Sequence, residues 1–192
     1  LRKLGENMIE LSVPQLEKLQ EKLKDFPDKI PVVTARSINR AAEAARTEGS
    51  RFIRETYHVK HSSVLRKIKI KKAYPADLVA DIRVTGRPLS VINFKVRANK
   101  PLPVRGKYAV VRVKKGGGGP IRGSFVLTTK TGYTNVFTRK TKERFPLRSI
   151  HGPSVPQMMG HEEGLKRMED KAREVLDKRL DHEISRVLGD RS

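Results

Sequence analysis

The sequence predicts an α+β fold: an antiparallel, five- or six-stranded basic sheet packed with an N-terminal Ala-rich helix and a long C-terminal helix. Two observations carry that reading. The apolar period is helical up to Tyr57, changes to 2 from Leu65 onward, and becomes helical again after Gly160. The period-2 runs are joined by short connections, which suit antiparallel pairing because a parallel pair needs a long crossover. Residues 1–28 are expected to form an N-terminal helical arm and residues 29–192 a single α+β domain. Within that domain the reading places a helix at 34–57, strands across 65–142, a strap at 144–160 and a helix at 161–188.

Each element has its own local reason. Ser12 and Gln15 have capping-box spacing, Pro14 suits a first turn, and Val13, Leu16, Leu19, Leu23 and Phe26 recur at helical intervals up to Pro27. The second helix carries Ile38, Ala42, Ala45, Gly49, Phe52 and Thr56 on one stripe. That stripe is mostly small, so another backbone can come close, and the close contact offsets the roughly 1 kcal/mol that Gly49 costs in helix propensity. Its expected partner is the sheet. In RKIKIKK, Ile68 and Ile70 alternate with lysines, giving one apolar and one cationic face. DLVADIRV aligns Leu78, Ala80, Ile82 and Val84, and the run through Ile92, Phe94 and Val96 alternates with polar residues. YAVVRVKK and SFVLTTK flank the glycines 116–119, and TNVFTRK follows the Thr131–Gly132 turn. The glycine run lacks the GK[ST] ending and following helix of a phosphate loop, so a hairpin connection is the better account. In the last segment Leu165, Met168, Ala172, Leu176, Leu180, Ile184 and Val187 keep helical spacing, with Gly189 as the stop.

The strap runs from Arg144 to Gly160. Its prolines, Pro146, Pro153 and Pro156, disfavour a helix and predict an extended path along a sheet edge. Phe145, Leu147, Ile150, Gly152 and Val155, with those prolines, are the candidate assembly residues.

Charge is the strongest compositional signal. The net charge is +21, and residues 64–142 carry 20 Lys or Arg against only Asp77 and Asp81, whereas the two ends are nearly neutral. A field of that kind favours a polyanion, because neutralising phosphates releases their counterions. The candidate polyanion-facing residues are Lys67, Lys69, Lys71, Lys72, Arg112, Lys114, Lys115, Arg139, Lys140 and Lys142. A solvated cationic face that serves only solubility is the plain alternative. Aromatic residues make up 5% of the chain and there is no tryptophan, so contact is expected with a nucleic-acid backbone rather than by base stacking.

Other chemistry finds little support. There is no cysteine, which removes disulfides and thiolate metal sites. His58 with His61, and His151 with His161, lack a supporting carboxylate pattern, so no metal or cofactor is expected. Asp77 and Asp81 would share a strand face and could form a two-carboxylate nuclease site, although pairing with nearby cations is simpler. Ser154 has neither a partner base nor an elbow motif. No apolar run reaches the roughly 20 residues of a membrane span, and no secretory leader is visible. Neither catalysis, a small-molecule substrate nor a membrane partner is expected.

Two segments resemble the prophage minor tail protein Z family. One is SINRAAEAARTEGSRFIRETYHV, Ser37 to Val59, and the other is the strap with its GPSVPQM run followed by a charged C-terminal helix. The resemblance spans roughly Ile30 to Leu188 and leaves out the N-terminal helix. It implies a structural virion protein made in the host bacterial cytoplasm, acting in tail completion at the head-proximal end of the tail. Its expected partners are copies of itself in a ring, neighbouring tail or neck proteins, and packaged DNA in the channel. The rival reading, from charge alone, is a free ribosome- or nucleoid-associated nucleic-acid-binding protein.

Overall fold

The computed structural model describes residues 6–9, 13–97, 108–160 and 162–189. The chain opens with strand β1 (Glu6–Ile9) and helix α1 (Val13–Lys22), and a 3₁₀ turn at Pro27–Lys29 leads into α2 (Ile30–Thr56). A short helix α3 (His61–Leu65) precedes strands β2 (Ile68–Lys71) and β3 (Ala80–Val84). Next come β4 (Lys95–Arg97), β5 (Val110–Arg112), β6 (Gly119–Pro120), β7 (Ser124–Thr128), β8 (Thr134–Arg139) and β9 (Leu147–Ser149). Helices α4 (Val155–Met159) and α5 (Glu163–Gly189) close the chain. The class is α+β with antiparallel strands, as the change of period implies.

The strands do not form one sheet. They form three of three strands each, ordered β1-β3-β2, β4-β5-β6 and β7-β8-β9. Strand β1 lies within the segment where the sequence predicts a helical arm. It pairs with β3, setting Glu6 opposite Arg83 and Ile9 opposite Ala80. The Ile92–Val96 alternation is also only partly a strand. Residues Val91–Asn93 form a 3₁₀ turn, held by the Asn93 amide donating to the Ser90 carbonyl and by its oxygen accepting from Ser63.

Helix α2 begins four residues before the expected Thr34. Pro31 sits in its first turn, where a missing N–H costs nothing, and the Thr34 hydroxyl bonds back to the Ile30 carbonyl at 2.8 Å instead of capping. Ile38, Ala42 and Ala45 are at most 1% exposed, Gly49 is buried and Phe52 half-buried, whereas Thr56 at the end of the stripe is exposed. The main partner of this stripe is helical rather than the expected sheet. Gly49 lies against Met168 of α5 and Met159 of α4. Leu19 and Leu23 from α1, and Leu176, Leu180 and Ile184 from α5, belong to the same core, with Ile68, Ala80 and Ile82 closing it from β2 and β3. A smaller cluster of Val91, Ala109, Val111 and Val136 lies among the other two sheets.

The strap is extended only in its first half. Strand β9 pairs along β8, Leu147 facing Arg139, which is the expected edge addition. Beyond Pro153 the chain turns helical. The Ser154 hydroxyl accepts from the Gln157 N–H while the Gln157 side chain accepts from the Ser154 N–H, a reciprocal capping box. Pro156 falls in the first turn of α4, where it is tolerated, so this proline marks a helix start and not an extended run. At the glycine turn, a Cβ on Gly118 would collide with the carbonyl oxygen of Val111, and its φ is +106°, so the β5–β6 hairpin requires glycine there.

Candidate polyanion-facing surface

The predicted cations lie in three places. Lys67, Lys69, Lys71 and Lys72 belong to β2 and its flanks, where Asp77 holds Lys71 at 3.3 Å and Glu43 of α2 holds Lys72 at 3.5 Å. Arg139, Lys140 and Lys142 lie at the end of β8 and just beyond it. The Arg139 guanidinium sits 5.7 Å from the Phe125 ring centre. Arg112, Lys114 and Lys115 lie at the end of β5, on a backbone fastened to the end of α2.

That fastening decides the geometry. The His58 N–H donates to the Val113 carbonyl, and the Lys115 N–H donates to the Thr56 carbonyl, both at 2.8 Å. One of the last carbonyls of α2 is thereby satisfied by a strand end rather than by water. The Lys114 ammonium lies 5.8 Å from the Tyr57 ring centre. An open groove of about 310 Å³ results, with Arg54, Lys60, Lys95 and Lys115 around it and Val59 and Phe94 buried beneath. Among the described residues no carboxylate lines it. Periodicity singled out Lys115 but missed Arg54, Lys60 and Lys95. These three sit on a helix end, a connection and a short strand, and no sequence spacing relates them.

The helices treat charge differently. Arg167 of α5 donates to both oxygens of Glu55 at 2.7 and 3.2 Å and to Glu48 at 3.0 Å, and stacks 5.2 Å from the Phe52 ring centre. The hydrogen bond from Arg167 holds the Glu55 carboxyl below the usual carboxylate range, and the nearby charges of Arg51 and Lys115 act in the same sense. Glu174 lies between Lys171 and Lys178, whose hydrogen bonds lower it to about 2. Lys18 of α1 lowers Asp181 of α5 by an ion pair at 2.6 Å. Glu183 is 1% exposed and faces Arg179 at 3.0 Å, Arg36 at 3.7 Å and Arg186 at 3.8 Å.

The aspartates do not form the strand pair considered from spacing. Asp77 lies in a turn before β3, bridged to Tyr74 and bonded to Lys71, while Asp81 is half-buried within β3. The His61 ring is engaged with the Ser50 hydroxyl at 2.8 Å. His161 lies outside the described residues. Among the described residues no cluster of three His, Asp or Glu is placed to hold a metal ion, and no helix is long and apolar enough to cross a membrane.

Residues 9–190 match the family model of prophage minor tail protein Z (GPZ). The match takes in helix α1, which the resemblance seen in the sequence had left out. Comparison with curated proteins and with solved structures gives no match. One family model thus accounts for the first helix, the sheets, the strap and the last helix together, and the chain belongs to the prophage minor tail protein Z family as a structural component of a phage tail.

Proposed function

We propose that the protein completes the tail by assembling as a ring of identical copies at its head-proximal end, where it helps join head to tail. The observation that carries this reading is the charge imbalance. Nearly all of the net +21 lies between residues 64 and 142, while the helices on either side balance their own charges. Copies arranged in a ring would repel through such a surface unless a polyanion or an acidic neighbour lay against it, and packaged DNA in the channel supplies one. Neighbouring tail or neck proteins are the other partners in this reading. The strap contributes through Phe145, which is 64% exposed and carries the Arg144 guanidinium 5.7 Å from its ring centre, a surface open to contact with an adjoining subunit. Cofactor, substrate and catalysis play no part in the role.

The test is electron microscopy of lysates from a phage or prophage lacking the gene. Separate DNA-filled heads and complete tails, converted to joined infectious particles by the purified protein, are the expected outcome. Normal joined particles without the gene would overturn the role and leave free nucleic-acid binding as the reading to pursue.

A further inference from the structure

We propose that the groove where the end of α2 meets β4 and the end of β5 is a binding site for the phosphodiester backbone of duplex DNA. The inference rests on the polyanion-facing surface of the proposed function, and it identifies which part of that surface makes the contact.

Four cations from separate segments converge there: Arg54 from α2, Lys60 from the connection to α3, Lys95 from β4 and Lys115 from the glycine turn. All four are exposed, and none forms an ion pair among the described residues. One carboxylate outside the lining, Glu55, interacts with the site. It feels the Lys115 charge but is hydrogen-bonded by Arg167 of α5. Elsewhere Lys18, Lys71, Lys72 and Lys178 each have a carboxylate partner, while Lys67, Lys69, Lys130 and Lys166 have no ion pair among the described residues, so the groove is set apart by the convergence of its four cations. Among the described residues no carboxylate pairs with the groove cations, so the groove keeps a net positive field.

A second observation points to an external anion. Lys95 stands directly opposite Arg112 in the β4–β5 ladder. Like charges in directly opposed positions destabilise a strand pair, and Lys114 and Lys115 follow on the same strand end. A bound polyanion removes this repulsion. The negative pole of α2 works against an anion, but its Thr56 carbonyl is already taken by the Lys115 N–H, and the four full charges outweigh the remaining partial ones.

The ligand class follows from what the groove offers. A Cβ placed on Gly116 or Gly117 would meet nothing within 4 Å, so the turn beside Lys115 presents bare, open backbone that a phosphate chain can approach. Phe94 is buried, and the Tyr57 ring is paired with the Lys114 ammonium. With no free ring to stack on, single-stranded bases gain little, whereas a duplex presents its phosphates without needing a stacking platform. Binding should thus be insensitive to sequence and sensitive to salt.

The experiment measures anisotropy of a labelled random-sequence duplex against the full chain, over about 50 to 200 mM salt. The double variant Lys60→Ser with Lys95→Ser is compared with Lys130→Ser with Lys166→Ser, which removes the same charge elsewhere. Thermal unfolding of both confirms folding, and Lys115→Ser provides a second groove variant. The groove pair should flatten the log–log salt slope by about 1.8, about 0.9 for each phosphate released, and weaken binding roughly 10-fold or more at the low-salt end. The control pair should change the slope by less than half as much. Equal losses from the two pairs would mean a diffuse field and overturn the site. Groove-dependent binding of poly-glutamate as tight as that of DNA would overturn the ligand class in favour of an acidic protein. No assembled tail is needed, so a negative result here leaves the joining role standing. Conversely, normal particles made without the gene leave this groove standing.

Discussion

Helices α2 and α5 and the strand ends around β4 and β5 are built from similarly charged sequence, yet they spend that charge in opposite ways. On the helices cations and anions are interspersed, and several find a partner one turn away or on a facing helix: Glu174 with Lys171 and Lys178, Glu55 and Glu48 with Arg167, Asp181 with Lys18. At the groove the cations have no ion-pair partner among the described residues. The apolar residues divide in parallel, with the larger core under the helices and a smaller cluster between the two later sheets. Net sign, rather than charge density, separates the surface that holds the fold together from the one proposed to address DNA.

The sharpest test of the division is core truncation on each side. Leu180, 1% exposed between the helices, should cost about 2–5 kcal/mol on Leu180→Ala, measured by urea unfolding. Val136→Ala in the smaller cluster removes two carbon groups and should cost about 1.6 kcal/mol. A larger loss at Val136 than at Leu180 would break the comparison.

The close approach at Gly49 comes next in size. A Cβ at that position would lie 2.6 Å from the Met168 sulfur and 3.1 Å from the Met159 methyl. Gly49→Val is expected to destabilise by about 1–3 kcal/mol in the same measurement, because overpacking outweighs the gain in helix propensity. A neutral result would show that the two methionines yield and that the small stripe is not what sets the helix separation.

The smallest effect is electrostatic. Glu55 has a lowered pKa in the folded protein, so its link to Arg167 contributes stability at pH values above the ordinary carboxylate range. That contribution disappears as pH falls through the lowered pKa. Arg167→Ala should therefore lower the unfolding midpoint slightly near neutrality, and the difference from the parent protein should shrink on acidification. A difference that stayed constant with pH would assign the role of Arg167 to its packing over Phe52 instead.

Local signals were legible wherever an element is long and its face uniform. The Ile38–Phe52 stripe and the Leu165–Val187 stripe could be read because many turns repeat one pattern, and the positive bias of 64–142 needed only counting. Short elements were less legible. Strand β1 has four residues, too few for a period to declare itself, and Asn93 closes a 3₁₀ turn through bonds to Ser90 and Ser63 that interrupt an otherwise strand-like alternation. Pro153 and Pro156 both point to extension, but Pro156 falls in the first turn of α4, where a proline is equally compatible, and the Ser154–Gln157 capping box decides for the helix.

By itself, then, the sequence determined the fold class, the two long helices, the cationic character of the strands and the family, because these depend on composition and on repeats within one segment. Only the tertiary structure decided that the strands divide into three sheets, that the Gly49 stripe faces a helix, and that Arg54, Lys60, Lys95 and Lys115 share one groove. The physical reason is that these outcomes depend on contacts between distant segments, above all the two backbone hydrogen bonds that fasten the end of β5 to the end of α2.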